Sequence, residues 1–378
     1  MDYVYHSHMD LMLEALSYLT VKTGDSSFES TFSRLELLCP QEDIQRQLIE
    51  RIDLIRSLSK SVDTQYSLNQ KELAPFFTPF SIGQGSIALM LVLSFYDPEI
   101  MDWDHQQKHI SEEFKAFATS ASQPLGKLYV ANLMDDSNDE NQKPENRSLI
   151  EQLEETGLKD EEKWSILRAV QNAGAMLHQL TQLLLPIKEL IAANLFSVTP
   201  LLDDFRKRWS AYFEKNAFSA YLSQSIGMEP GDIEAYTLHI YPLLFNCAAI
   251  VMNMEEESKS IYLRVGACLP EGLNVKSMPI ENNQMLEGLK ALSDKSKLSI
   301  LDHIRNNRSY GQALAKETGL STATISHHMS ALINCGFIRM DRVENRIYYQ
   351  MDKESVNRFL KQLSYYLLEG DSSGKTHL

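Results

Sequence analysis

The chain has 378 residues, of which 43% are hydrophobic and 23% charged, so it can bury large cores and is long enough for two or three domains. Its start, "MDYVYHSHMD", is polar, and its longest apolar runs, "ALMLVLSFY" and "CAAIVM", are too short to cross a bilayer. The four cysteines lie far apart, which argues against a disulfide framework and, with the missing signal peptide, predicts a cytoplasmic protein.

The net charge of −15 is distributed unevenly along the chain. Residues 285–366 hold 12 Lys+Arg and 8 Asp+Glu, a net of +4, which leaves −19 for the remainder. Binding to a phosphate backbone needs local positive charge, and only the C-terminal segment provides it. The acidic remainder is therefore expected to have a different role.

The N-terminal region is predicted to be rich in amphipathic helices. Residues 41–59 form one helical pattern, 161–185 a second and 203–227 a third, which is expected to end at Gly227. Pro186 is expected to kink or end the second helix. The apolar stripes of the first two helices are Ile44, Leu48, Ile52 and Ile55, and then Trp164, Leu167, Val170, Leu177, Leu180 and Leu184.

A small sheet accompanies these helices. "YTLHIY" (236–241) alternates in polarity, and "CAAIVMNM", "EEESK" and "SIYLRVGA" (247–267) together predict a hairpin. The opening "DYVYH" is expected to add a strand to the same sheet. The predicted fold class is therefore mainly α with minor β: a large helix-rich α+β N-terminal domain, followed by a C-terminal domain of another type.

Composition also predicts the domain limits. The acidic stretch 134–148 is interpreted as an exposed loop, and residues 269–284, with two prolines and a glycine, as a linker. The last residues, 369–378, are expected to form a flexible tail. The predicted division is thus an N-terminal sensory or assembly domain (1–268), a linker, a second domain (285–368) and the tail.

The second domain has a sharper pattern. Two helices, a helix–turn–helix, a two-stranded wing and a final helix follow one another. Ser309 and Gln312 suggest a capping box for the helix that ends at Gly319. Ser321 is expected to cap the next helix and Asp352 the last one. The core candidates in the first two helices are Leu286, Leu289, Leu292, Leu298, Ile300, Leu301 and Ile304.

The helix in "STATISHHMSALINCGF" (321–337) has one apolar side and one side of small, neutral residues. The second helix of a helix–turn–helix enters the DNA major groove, which is roughly 12 Å wide and admits one helix with short polar side chains. Arginines in or beside the wing can reach the backbone or the minor groove. The predicted DNA-binding residues are Ser321, Thr322, Ala323, Ser326, His327, Ser330, Arg339, Arg342 and Arg346.

The C-terminal segment resembles a known protein family. "LSDKSKLSIL" before the turn, "TISHHMSAL" in the second helix, "CGFI" leading to the wing and "IYYQM" closing it resemble the winged helix of arsenic-repressor (ArsR) type regulators. The resemblance covers about 80 residues. It implies double-stranded DNA with an inverted-repeat operator as partner, and a homodimer formed by the first and last helices of the domain, near Leu286–Leu292 and Val356–Leu367.

Two family features are absent from the sequence. The thiolate metal site of the family, a Cys-x-Cys on the helix before the turn, has no counterpart in "SYGQALAK", and the last helix has no histidine for the other common site. Glu344 also stands where the wing turn often has glycine, although Asn345 tolerates a positive φ. The expected signal is therefore not a metal, and no metal ligand or cofactor is assigned.

Several other motifs have simpler interpretations than a functional site. The pairs His105/His109, His6/His8 and His327/His328 lack a convincing third ligand. "GQGSIA" (83–88) matches a dinucleotide fingerprint, but prolines precede it and no βαβ pattern surrounds it, so a helix-preceding turn is the better interpretation. Cys335 has no basic neighbour and is expected to be an inert thiol.

The sequence thus predicts a DNA-binding transcriptional regulator, with repression favoured over activation. Its N-terminal domain is expected to respond to an unidentified small molecule or protein, or to mediate assembly. No catalytic motif is present. Two alternatives remain open: a winged helix fused to an enzyme, which would have a cleft with perturbed titrating residues, and a scaffold whose winged helix binds protein.

Overall fold

The computed structural model describes a chain that divides into two compact units, Met1–Leu153 with Lys159–Met278, and Glu154–Leu158 with Pro279–Leu378. The residues it describes are 3–6, 9–24, 28, 35, 42–81, 85–120, 123, 125–130, 148–154, 156, 158–225, 236–255, 258–271, 282–343 and 346–368.

The N-terminal unit is built mainly from helices, several of which begin with a side-chain cap. Asp10, for example, accepts the backbone N–H groups of Met12 (2.8 Å) and Leu13 (3.2 Å). The helices are α1 (Leu11–Thr23), α2 (Glu42–Asp63), α3 (Gln70–Phe77), α4 (Ile87–Leu93), α5 (Trp103–Thr119), α6 (Leu149–Glu154), α7 (Asp160–Gln171), α8 (Ala173–Asn194), α9 (Thr199–Phe213) and α10 (Phe218–Ser225), with 3₁₀ turns at Leu125–Lys127 and Leu195–Val198. Helix α8 is central, because it packs against α1, α2, α5 and α7.

One helical stretch in the described chain, Ala173–Phe213, is long and apolar enough to cross a membrane by length and composition alone. Its first part, α8, buries Leu177, Leu180, Leu184 and Ile187 at helical spacing. This spacing is that of an amphipathic helix with one buried face.

Two predicted helices are each divided in the structure. Residues 161–185 belong to α7 and α8, which separate at Asn172, and 203–227 to α9 and α10, with Gly227 outside the described residues. Trp164 is 71% exposed, so its assignment to the apolar stripe was wrong. Of the two outcomes predicted for Pro186, an end to the helix is wrong, because α8 continues to Asn194.

The predicted small sheet is confirmed. Its strand order is β1 (Tyr3–Tyr5), β2 (Thr237–Leu243), β4 (Ser260–Gly266) and β3 (Ile250–Glu255). Strands β3 and β4 form the expected antiparallel hairpin, with Met252 opposite Leu263. The β1 strand joins β2 in parallel, with Val4 opposite His239, and β2 is parallel to β4.

The C-terminal unit has the predicted order of elements. Helix α11 (Asn282–Ser293) and α12 (Lys295–His303) lead to β5 (Ser309–Tyr310), α13 (Gly311–Thr318) and α14 (Thr322–Asn334), and then to β6 (Ile338–Val343), β7 (Arg346–Met351) and α15 (Lys353–Leu368). Its core contains Ile300, Leu301, Ile304, Leu314, Ile325, Met329, Leu332, Phe337 and Phe359.

The predicted domain limits remain predictions. Most of the proposed linker (272–281), most of the acidic loop (134–147) and the proposed tail (369–378) lie outside the described residues.

Candidate nucleic-acid interface

The turn between α13 and α14 has the predicted chemistry. Gly319 has a φ of +72°, in the left-handed region where glycine is favoured, and it ends α13. Ser321 then caps α14, because its Oγ accepts the Thr324 N–H at 3.1 Å. The α14 helix ends before Gly336, whose φ is +69°. These caps and helix ends define α13 and α14 as a helix–turn–helix.

Helix α14 is fixed by one buried stripe. Ile325, Met329 and Leu332 are at most 1% exposed and lie at positions i, i+4 and i+7. Helical geometry, with 3.6 residues per turn, therefore puts positions 323, 327 and 330 on the opposite side and position 326 on the flank of the helix. The side chains of Ala323, Ser326, His327 and Ser330 lie outside the described part of the structure, and their DNA contacts stay predictions.

The start of α14 carries the other two predicted residues of this helix. Ser321 and Thr322 are exposed. The Ser321 Oγ is already used by the cap and lies 2.7 Å from the Thr324 Oγ1. Free N–H groups in the first turn of a helix favour an anion, so a phosphate is a suitable neighbour for this end.

The wing is a β6–β7 ladder, with Val343 opposite Arg346. The backbone of Arg342 and Arg346 is thus at the distal end of the hairpin, next to residues 344–345, which are not described; the side chains of both arginines are also outside the description. Arg339 lies nearer the base of the wing, and its side chain is 66% exposed. Its Nε is 3.3 Å from Asp352 Oδ2, so this arginine already has an ionic partner.

Asp352 caps the last helix as predicted, accepting the Ser355 N–H at 3.1 Å. The capping box predicted at Ser309 was wrong. Ser309 and Tyr310 instead form β5, which pairs with Tyr349 and Tyr348 of β7. A strand of two residues has no recognisable periodicity, and pairing over 38 and 40 positions is invisible to local sequence patterns.

Two exposed cations near the helix–turn–helix are not among the predicted DNA-binding residues. The Arg308 guanidinium lies 5.0 Å from the centre of the Tyr348 ring, a cation–π contact that orients it beside the wing sheet. Lys316 is exposed on α13. Both can add phosphate contacts, and the only available sequence signal was the local positive charge.

Several leucines predicted for the core are exposed instead. Leu286 (48%) and Leu289 (37%) lie on α11, and Leu298 (46%) on α12. On α15, Leu360 (49%) and Leu367 (67%) are exposed too. A single exposed leucine on a helix is ordinary, whereas α11 and α15 each have two exposed leucines.

The alternative sites receive simpler explanations. His105 is on an exposed face of α5, with its Nδ1 2.6 Å from Asp102 Oδ1, and Ser86 in "GQGSIA" caps α4. Burial raises the pKa of the half-buried Cys335 thiol to about 11, as expected for an inert thiol. Over the described ranges, no group of three or more His, Cys, Asp or Glu could hold a metal ion.

Comparison with known proteins points to one family. Residues 294–339 match the family described as "Bacterial regulatory protein, arsR family". The HTH-type transcriptional regulator NmtR of Mycobacterium tuberculosis is 30% identical over 99 residues, which span 25% of this chain and 82% of NmtR. These matches leave the N-terminal unit unassigned.

Solved structures of similar sequence are also found. An ArsR-like transcriptional regulator from Rhodococcus sp. RHA1 is 24% identical, covering 23% of this chain and 82% of its own, with a TM-score of 0.22. NolR from Sinorhizobium fredii is 27% identical, covering 25% and 99%, with a TM-score of 0.20. A homodimeric winged helix–turn–helix DNA-binding domain from Mycobacterium bovis is 27% identical, covering 25% and 89%, with a TM-score of 0.20.

Proposed function

Because this chain belongs to the ArsR family of bacterial transcriptional regulators, we propose that it is a homodimeric repressor whose winged helix binds an inverted-repeat operator. The observation that carries the proposal is that α14 has one buried stripe and a different remaining surface. The stripe consists of Ile325, Met329 and Leu332, and the positions of Ser326 and His327 lie outside it. Short polar residues at such positions can approach base edges in the major groove.

The double substitution Ser326→Ala/His327→Ala tests this assignment. Each lost base contact should cost about 1–3 kcal/mol of operator binding, so the pair should weaken it at least tenfold. Non-specific binding should fall less, because it depends on backbone charge. Fluorescence anisotropy with an operator selected from random DNA, and with random DNA itself, measures both.

Two further variants serve as controls. Arg342→Ala is expected to weaken operator and random DNA alike, and to reduce the slope of affinity against salt by about one. Ile325→Asp buries a charge in the core, so it should unfold the winged helix. If the double variant stays folded and keeps full operator preference, α14 does not read bases, and a protein-binding role becomes the better hypothesis.

A dimer is supported by the leucines exposed on α11 and α15. We expect Leu286→Asp/Leu360→Asp to be monomeric in light scattering at micromolar concentration, because charges would replace apolar contacts between two copies. Leu298→Asp, an equally exposed leucine on α12, should leave the dimer intact. The operator half-sites should lie about one helical turn, roughly 10 bp, apart. A monomeric parent protein, or a selected site without a dyad, would contradict the dimer.

For the N-terminal unit we propose a cytoplasmic, non-enzymatic role in sensing a signal that is not a metal. The support is chemical: α13 has no cysteine and α15 no histidine, so neither common metal site of the family can form there. Loss of repression through a ligand then requires that the ligand distinguish two states of the protein.

A further inference from the structure

The N-terminal unit contains a cleft of about 280 Å³. One side is the 3₁₀ turn with Leu195 and Phe196, and the other is the end of β1 with Tyr5 and His6. Helix α9 contributes Asp203 and Arg206 to the lining. The cleft thus lies where β1 ends beside α9, entirely within one unit.

One wall of the cleft is a stack of aromatic side chains, and the cleft also contains one unusually exposed aromatic ring. His6 Nε2 is 3.0 Å from His239 Nδ1, and its ring stacks on Tyr241 with centroids 4.1 Å apart and planes 2° from parallel. Phe196 is 76% exposed, the most exposed large apolar residue of the described chain. An apolar ligand in the cleft would cover this ring.

Two opposite charges lie one helical turn apart in the same lining. Asp203 and Arg206 are both exposed, at positions i and i+3 of α9. Within the described part of the chain, neither has a hydrogen bond or an ion pair. A purely anionic ligand would be repelled by the Asp203 carboxylate, and a purely cationic ligand would be repelled by the Arg206 guanidinium. A ligand with both an anionic group and a cationic donor satisfies the two side chains together.

We infer that this cleft is the effector site, and that it takes a small zwitterion with an apolar or aromatic body, the class to which aromatic amino acids belong. The carboxylate would bind Arg206, the ammonium would bind Asp203, and the ring would pack on Phe196. This inference rests on the proposed function, because it identifies the ligand class that the N-terminal unit senses.

The other side of α9 holds the segment that follows β4, so a ligand that moves α9 would also move that segment. Arg208 donates from Nη2 to the Ala267 carbonyl (2.9 Å) and from Nη1 to the Leu269 carbonyl (3.0 Å), and it also pairs with Glu271. Asp204 Oδ2 accepts from both Arg208 Nε (2.7 Å) and Arg51 Nε (2.9 Å). The helix that lines the cleft therefore anchors residues 267–271, the segment that follows β4 in the sequence.

Calorimetry on the full chain with three probes tests the ligand class. L-Phenylalanine carries both charges, 3-phenylpropionate only the anion and 2-phenylethylamine only the cation. We expect L-phenylalanine to bind at least tenfold more tightly than the other two. Arg206→Gln, Asp203→Asn and Phe196→Ala should each raise its Kd at least tenfold.

Matched controls locate the binding. Lys207→Gln removes the neighbouring exposed cation of α9, and Trp164→Ala removes an exposed ring elsewhere in the unit; each should change Kd less than twofold. The inference is overturned if no probe binds at millimolar concentration, if a singly charged probe binds equally well, or if the cleft variants behave like the controls.

Operator release separates this inference from the proposed function. L-Phenylalanine should lower operator affinity of the parent protein and not of Arg206→Gln. Failure of the ligand-free protein to bind DNA would instead contradict the regulator proposal. Stoichiometric release by zinc, copper or arsenite would overturn the non-metal signal and, with it, the effector assignment.

Discussion

Glu14→Ala should lower the free energy of unfolding of the N-terminal unit by about 2–6 kcal/mol. Glu14 is 1% exposed on α1, and its two carboxylate oxygens accept the backbone N–H groups of Leu244 (2.9 Å) and Phe245 (3.0 Å). Alanine leaves both buried donors without an acceptor, and each such loss costs about 1–3 kcal/mol. Urea unfolding followed by tryptophan fluorescence isolates this unit, because all three tryptophans, Trp103, Trp164 and Trp209, belong to it.

Glu189→Ala provides the matched control. Glu189 is exposed in the middle of α8, so its loss should change the unfolding free energy by no more than about 0.5 kcal/mol. Equal effects of the two substitutions would show that the Glu14 hydrogen bonds do not stabilise the fold.

The same carboxyl group should make stability depend on pH. Burial raises the pKa of Glu14 from 4.5 to about 7, although the hydrogen bonds from Phe245 and Leu244 act in the opposite direction. Between these values the folded protein binds more protons than the unfolded chain, so stability falls as pH rises from about 4.5 to 7. The loss of unfolding free energy that Glu14 causes over this range is at most about 3 kcal/mol, and this free energy no longer changes with pH above about pH 7. Glu14→Gln should lack this slope, and an unchanged slope would assign it to other groups.

Gly288→Val should destabilise the winged helix by about 3 kcal/mol. A Cβ at Gly288 of α11 would lie 2.3 Å from Phe359 Cε2 and 3.2 Å from Phe337 Cζ. Both rings are at most 1% exposed and pack edge to face, with centroids 5.0 Å apart, so neither can move without disturbing the core. Overpacking of this kind typically costs about 1–3 kcal/mol, and valine adds two methyl groups to the clash.

Hydrogen exchange of peptides from α11 and α15 measures this effect, while tryptophan fluorescence should not change. Gly311→Val is the control, because a Cβ at Gly311 has nothing within 4 Å. If the exchange protection of Gly288→Val equals that of the control, the close approach of α11 to Phe359 is not a constraint.

The sequence alone determined the order of elements in the winged helix. The signals were local: Gly319 needs a left-handed backbone, Ser321 and Asp352 cap helices, and the stripe beginning at Ile325 repeats at helical spacing. Such features depend on neighbours within about four residues, which a single sequence displays directly. The family resemblance of this segment followed from other short motifs, such as "TISHHMSAL" and "CGFI".

Hydrophobicity alone did not distinguish core from exposed surface. Leu286 and Ile300 are equally apolar, yet the first is 48% exposed and the second is fully buried. The pattern identifies an apolar position, but only packing against other elements decides what covers it. Leucines at the proposed contact with a second copy of the chain and leucines of the core have the same sequence signature.

Long-range pairing was decided only by the tertiary structure. Ser309 became a strand residue because it pairs with Tyr349, and Glu14 meets its two N–H donors 230 and 231 positions later in the chain. The cleft beside Arg206 likewise joins β1 to α9, about 200 residues apart in sequence. Composition and periodicity describe only neighbouring residues, whereas these contacts exist because burial of the two cores brings distant segments together.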